Sequence, residues 1–131
     1  MLTVQMLLKK EFDQKVLLIV DDDRQVARAA KRAISPSFDA VLSTTDPHAA
    51  TRILEQKKVS HVLCDLNLGL DVHGALNGFA FASLWRSAFP HLEKIVIFTG
   101  EDVCDLTIPL DVDAVLPKSA SIDRIAETLL K

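Results

Sequence analysis

The sequence has no apolar stretch of membrane-span length, no basic run, no aromatic-rich basic segment and no CxxC pair. The first absence argues against a membrane-spanning helix. Residues 1–14 carry Lys9, Lys10, Glu11 and Asp13 without a cleavage-site pattern, so no secretory leader is expected and the chain reads as cytoplasmic. A net charge of −3 with no basic run or aromatic-rich basic segment argues against nucleic acid as a direct partner. The two cysteines, Cys64 in a predicted strand and Cys104 in a loop or short helix, read as reduced thiols, buried or unreactive. Internal repeats, low-complexity tracts and linkers are also absent. The 131 residues, 49% of them hydrophobic, therefore read as one domain with a packed core.

What is present begins with Val16-Leu17-Leu18-Ile19-Val20, a short β-branched run that ends directly in Asp21, Asp22 and Asp23. Such a run suits the interior of a parallel sheet. Three neighbouring anions repel one another, and a hard cation with oxygen ligands relieves that repulsion. The simpler reading makes Asp23 a helix cap and the other two surface charges. Further apolar runs alter the balance: His61-Val62-Leu63-Cys64 ends at Asp65, Ile95-Val96-Ile97-Phe98 at Thr99-Gly100, and Ala114-Val115-Leu116 at Pro117-Lys118. Carboxylates, a hydroxyl and an ammonium are thus delivered to one strand edge, the edge where open α/β sheets bind ligands.

Helical patterns lie between these strands. From about Arg24 to Ile34 the residues Val26, Ala27, Ala30, Ala33 and Ile34 share a face, with Asp23 placed to cap and Pro36 to terminate. After a strand expected over Phe38–Ser43, Asp46-Pro47 opens a helix with Ala49, Ala50, Ile53 and Leu54 inward. Gly78 to Phe89 presents Phe81, Leu84, Trp85 and Ala88 at helical spacing, and Ser121 caps a helix bearing Ile122, Ile125, Ala126 and Leu129. The alternation predicts a doubly wound α/β fold, a five-stranded parallel sheet with helices on both faces. Residues 1–14 form an N-terminal extension, either a short amphipathic helix carrying Leu2, Met6, Leu7 and Leu8 or an unstructured leader, and residues 15–131 form the domain.

Four elements together, Val20-Asp21-Asp22, Asp65 within Leu63-Cys64-Asp65-Leu66-Asn67-Leu68, Phe98-Thr99-Gly100 and Leu116-Pro117-Lys118-Ser119, resemble the receiver domain of two-component response regulators. The likeness covers about residues 16–131. It implies the flavodoxin-like strand order 2-1-3-4-5, an order for which receivers are a standard example. It further implies that Asp65 accepts a phosphoryl group from a histidine kinase or histidine phosphotransfer protein, with Mg²⁺ as cofactor. Asp22 and Asp65 would ligate the ion directly, Asp21 through water, and the backbone carbonyl of Asn67 would complete the protein's share. Lys118 would pair with the acceptor carboxylate and then a phosphoryl oxygen, and the Thr99 hydroxyl would bind another. Asn67 and Glu101 match the positions that tune dephosphorylation. The chain would be a phosphoacceptor with self-dephosphorylation rather than an enzyme, a stand-alone receiver acting on a downstream protein, with a homodimer as one arrangement.

Several features depart from that pattern. The segment from Gly69 to Asn77 is longer than usual, with Gly69 where proline is common; Asp71 and His73 within it read as solvated loop residues. His48, His61 and His91 read as surface or packing residues. Between Glu101 and Asp113 the chain is short, contains Pro109 and lacks helical periodicity, so the fourth helix is expected to be short or irregular. Val115 occupies the switch position where many receivers carry Tyr or Phe. Pro117 precedes the lysine where many relatives have a proline after it. Two other functional classes stay open at this stage. One is a phosphorylation-independent interaction module with an eroded switch. The other is a metal-dependent phosphohydrolase of the haloacid dehalogenase type, whose Asp-x-Asp is matched in letters by Asp21 and Asp23.

Overall fold

The buried apolar runs become five parallel strands: β1 (Val16–Val20), β2 (Ala40–Thr44), β3 (His61–Asp65), β4 (Lys94–Thr99) and β5 (Ala114–Pro117). They hydrogen-bond in the order β2-β1-β3-β4-β5, as expected. The computed structural model describes residues 3–5, 14–69 and 77–131. Of the long loop, residues 70–76 lie outside the described residues, and Asp71 and His73 with them; so do Leu2, Met6, Leu7 and Leu8.

Among the described residues four helices cover the sheet, and side-chain alternation along the strands divides the core between its two faces. On one face Leu17, Ile19, Leu63, Val96, Phe98 and Leu116 pack with α1 (Arg24–Ile34) and α4 (Ile122–Leu130). On the other, Leu18, Val20, Val62, Cys64, Ile95, Ile97 and Val115 pack with α2 (Pro47–Gln56) and α3 (Gly78–Ala88). Each helix starts on the side chain that chemistry favours there. Asp23 accepts from the amides of Gln25 and Val26, Asp46 from His48, Asn77 from Ala80, and Ser121 from Arg124.

The fourth crossover contains only a 3-10 turn, Val103–Asp105, capped by Asp102, in line with the poor periodicity of that segment. Val103, Leu106 and Val112 fill the sheet face there. Arg86 of α3 ties the crossover down: it donates to the carbonyls of Leu92 at 2.8 Å and Asp111 at 3.4 Å and to Asp113 Oδ2 at 2.6 Å. The same Asp113 oxygen accepts from Ile95 N at 2.7 Å.

Some details differ from expectation. β2 begins at Ala40 because Phe38 closes the 3-10 turn Ser35–Ser37 through its amide to the Ser35 carbonyl. Ala33 is exposed: at 100° per residue it lies about 120° around the helix from buried Ala27. In α3 the buried stripe is Gly78, Phe81, Ala82 and Trp85, which leaves Leu84 on the flank and Ala88 in the last turn exposed. Cys104, in the 3-10 turn that replaces a packed helix, is exposed rather than buried, whereas Cys64 is buried.

Candidate functional site

Strand register brings the site together. Val20 pairs with Cys64, which sets Asp21 beside Asp65; Asp65 pairs with Phe98, so Thr99 follows on the next strand; Thr99 pairs with Pro117, which delivers Lys118. These residues meet at the carboxyl edge of the sheet. A cleft of about 370 Å³ there is lined by Asp22, Asp23, Asp65, Asn67, Thr99, Gly100, Glu101 and Lys118. A slightly larger cleft, about 400 Å³, lies near the amino edge around Gln14, Leu54, Val59 and Ser60, far from these carboxylates. Size does not identify the site; the converging charges do.

The Lys118 ammonium bridges two acids, lying 3.0 Å from Asp65 Oδ2 and 3.2 Å from Asp21 Oδ2. It also sits 5.1 Å from the centre of the Phe98 ring, an aromatic neighbour that the sequence reading did not single out. Asp21 is fully buried and Asp65 almost so. Asp65 Oδ1 accepts from Asn67 N at 3.3 Å, and Asp21 Oδ1 from Asp23 N at 2.9 Å. Asp21 Oδ2 is buried without a hydrogen bond among the described residues: its contact with Lys118 is an ion pair that lacks hydrogen-bond alignment. Thr99 is buried, and its hydroxyl accepts from Glu101 N at 3.0 Å, which leaves the hydroxyl proton available for donation.

Burial dominates the electrostatics. It raises the Asp65 carboxyl to about 6, opposed by the Lys118 hydrogen bond and reinforced by the charge of Asp21. Burial likewise raises Asp21, against the Asp23 amide and Lys118. For Lys118 burial works against the charge, but hydrogen bonding to Asp65 and Asp21 outweighs it and lifts the ammonium above its ordinary value. Cys64 is pushed well up by burial and by the charges of Asp65 and Asp21, so it is a packing residue and not a nucleophile.

The metal expectation can be tested on the donor set. One oxygen each from Asp21, Asp22 and Asp65 lie within 4.8 Å of one another, two of the residues being buried and Asp22 exposed. Hard oxygen donors, crowded, with one buried oxygen unsatisfied, fit a divalent cation of the oxygen-preferring kind. Asp23 belongs elsewhere: its carboxylate is committed to the first amides of α1, so the Asp-x-Asp spacing yields no free second acid.

Two glycines shape the rim. Gly69 adopts φ +68°, and a Cβ on it would come 3.1 Å from Asp22 Oδ2. Its amide donates to Asn67 Oδ1 at 3.1 Å, which holds the Asn67 side chain in a tight turn. Gly78, which opens α3, packs directly on the backbone of Asp65 and Leu66 and was not read from sequence as part of the site. A glycine at the first position of a helix, just after an Asn cap, was its only signal. Glu101 is exposed at the cleft, while Val115 is buried among the side chains of the α2–α3 face.

Comparison with known proteins agrees with this geometry. Residues 17–130 match the family model described as the response regulator receiver domain. A response regulator from Burkholderia pseudomallei, solved with a phosphorylated aspartic acid, a calcium ion and citrate, superposes with TM-score 0.72 at 21% identity, covering 88% of this chain and 66% of that one. A receiver domain from Clostridium thermocellum gives TM-score 0.74 at 18% identity over 87% of this chain and 90% of its own. A receiver from Methanospirillum hungatei gives 0.71 at 18% identity over 88% and 90%. The chain thus spans just under two thirds of the first of these regulators and most of the other two. No curated protein matches by sequence. With a family model that accounts for residues 17–130 and a sheet of the order that family adopts, the chain belongs to the response regulator receiver domain family.

Proposed function

We propose that the chain is the phosphoacceptor of a two-component relay, in which Asp65 takes a phosphoryl group from a phosphohistidine on a histidine kinase or phosphotransfer protein. The observation that carries this reading is the Lys118 ammonium held between Asp65 and Asp21 in an open, hydroxyl-bearing cleft. In the transfer the phosphorus–nitrogen bond breaks, the electron pair returns to the imidazole, and a carboxylate oxygen of Asp65 forms the new oxygen–phosphorus bond. A carboxylate is a weak nucleophile approaching another anion, so positioning and charge neutralisation dominate. Lys118 supplies positive charge at the acceptor, and the Thr99 hydroxyl offers a donor to a phosphoryl oxygen. Asp21, Asp22, Asp65 and the Asn67 carbonyl would hold Mg²⁺, which when bound neutralises phosphoryl charge. Residues 15–131 form the receiver, and the phosphorylated form is read in the cytoplasm by a downstream protein target, with self-dephosphorylation ending the signal.

A second reading, an interaction module indifferent to phosphorylation, draws support from Val115 at the switch position and the missing fourth helix. Acetyl phosphate with Mg²⁺ separates the two. One phosphoryl group per chain, labile to hydroxylamine, absent in Asp65→Ala and much reduced in Lys118→Ala, is the result expected of a phosphoacceptor. An unlabelled wild type, or a yield unchanged in Asp65→Ala, sinks the assignment.

A further inference from the structure

The molecule is acidic overall, yet α1 carries Arg24, Arg28, Lys31 and Arg32 with no acid among its residues. Arg24, Arg28 and Arg32 follow one another at four-residue intervals, so like charges stack along one side of the helix. Arg24 is also the first helical residue, where the helix dipole disfavours a cation. Nothing within the described residues compensates: neither the Arg24 nor the Arg28 side chain has an ion-pair or hydrogen-bond partner there.

These two arginines share a cleft with hydroxyl-bearing residues at the end of β2. It measures about 280 Å³ and is lined by Arg24, Ala27, Arg28, Ser43, Thr44 and Thr45. Ser43 continues the row of Val41 on the face of β2 that α1 covers, a row that would otherwise be apolar. Its hydroxyl and that of Thr45 make no hydrogen bond within the described residues. Thr44, between them, projects to the opposite face of the sheet with Leu42, where its Oγ1 accepts from Asp46 N at 3.3 Å, so the hydroxyl donors on the α1 side are Ser43 and Thr45. Ala27, small and buried between the two arginines, leaves the cleft its depth. The α1 amides are not the donors here, because Asp23 already caps them.

We propose that this cleft is a second anion site, distinct from the phosphoacceptor pocket, that takes a phosphate group, either the free ion or a monoester of a small molecule. Guanidinium groups from one side and hydroxyls from the other converge from directions that a planar carboxylate does not span but the tetrahedrally arranged oxygens of a phosphate do. The two clefts share no lining residue, and the phosphoacceptor pocket, rich in carboxylates, repels phosphate in the absence of metal.

The test is a titration of the full metal-free chain with inorganic phosphate, followed by NMR at the Ser43, Thr44 and Thr45 amides and the arginine Nε–H groups. Saturable shifts at these groups are expected, with affinity reduced about tenfold or more in the Arg24→Gln/Arg28→Gln double variant, whose fold is checked by circular dichroism. Methyl phosphate binding as well as phosphate assigns a monoester; its exclusion assigns the free ion. Equal responses to acetate, or to chloride at matched ionic strength, overturn the site, as does unchanged affinity in the double variant or a shift confined to Asn67 and Gly100.

Discussion

Gly78 lies against the backbone of Asp65 so closely that a Cβ there would fall far inside contact with the Asp65 carbonyl oxygen and 3.1 Å from Leu66 Cα. Its amide also donates to the Leu66 carbonyl at 2.7 Å, which fastens the start of α3 to the end of β3. The neighbouring atoms are backbone, so no side chain can rotate away. Gly78→Ala should therefore cost about 2–3 kcal/mol in urea unfolding and slow labelling by acetyl phosphate, since the strain displaces the acceptor itself. Wild-type stability in the variant would show that the helix start shifts freely.

The ion pair between Arg86 and Asp113 does for the fourth crossover what a packed helix would otherwise do. One Asp113 oxygen serves both the guanidinium and the Ile95 amide, so Asp113→Ala leaves two donors unpaired in a half-buried setting. A loss of about 1–2 kcal/mol is expected, and Asp113→Asn, which keeps an oxygen acceptor, should recover part of it. An Asp113→Ala protein as stable as wild type would mean that Val103, Leu106 and Val112 hold the crossover unaided.

Burial sets opposite pH dependences at the two ends of β3. At the carboxyl end Asp65 titrates near 6 in the folded metal-free protein against 3.8 ordinarily. A raised carboxyl favours the folded state below about 3.8 and loses that advantage as pH rises through about 6. Asp65→Asn should consequently stabilise the metal-free protein by about 1–2 kcal/mol at pH 7.5 and by little below pH 4, after allowance for solvent screening. A difference that does not change between these two pH values would count against burial as the cause.

At the amino end His61 is buried against Phe38, with Ser60 Oγ 2.6 Å from Nδ1 and Glu93 3.7 Å from Nε2. Burial lowers its pKa below the ordinary 6.5, although Glu93 pulls the other way. The unfolded chain then binds a proton that the folded chain refuses, so His61's contribution is complete above about 6.5 and declines as pH falls below it. His61→Gln should flatten the stability profile between pH 7 and 5. An identical slope in both proteins would assign that decline to other groups.

Legibility from sequence followed how local the determining physics is. Strand ends at Asp21, Asp65, Thr99 and Lys118 were readable because a buried parallel strand is a short apolar run and its terminus is marked by the first polar residue. The caps Asp23, Asp46 and Ser121 were readable because capping is decided within three residues. Gly78 against Asp65, Phe98 beneath Lys118 and the Arg86–Asp113 tie were not, since each depends on which backbones meet in space. Periodicity also overstated burial at Ala33, Leu84 and Ala88, because a helix lying on a sheet hides a narrower stripe than its full apolar face.

Under the proposed phosphoacceptor role, Asn67 and Glu101, exposed on the rim of the cleft that contains Asp65, are expected to set the lifetime of the phosphorylated state. Asn67 is not free to swing: its Oδ1 accepts from Gly69 N, which fixes the side chain and leaves the NH₂ group as a donor beside the acceptor. Glu101 is anchored through its amide on Thr99 Oγ1 while its carboxylate remains an acceptor. A donor and an acceptor on one rim can orient a water in line with the scissile oxygen–phosphorus bond, an effect of positioning rather than of acid–base strength. The phosphorylated protein should accordingly be short-lived, as suits a sink or fast relay. Asn67→Lys should prolong it severalfold, because an ammonium would engage the phosphoryl oxygens in place of water, and Glu101→Ala should prolong it by removing the acceptor. Phosphate release from purified phosphoprotein measures all three, and a slow wild type unaffected by either substitution would transfer control of the lifetime from this pair to the segment between Gly69 and Asn77.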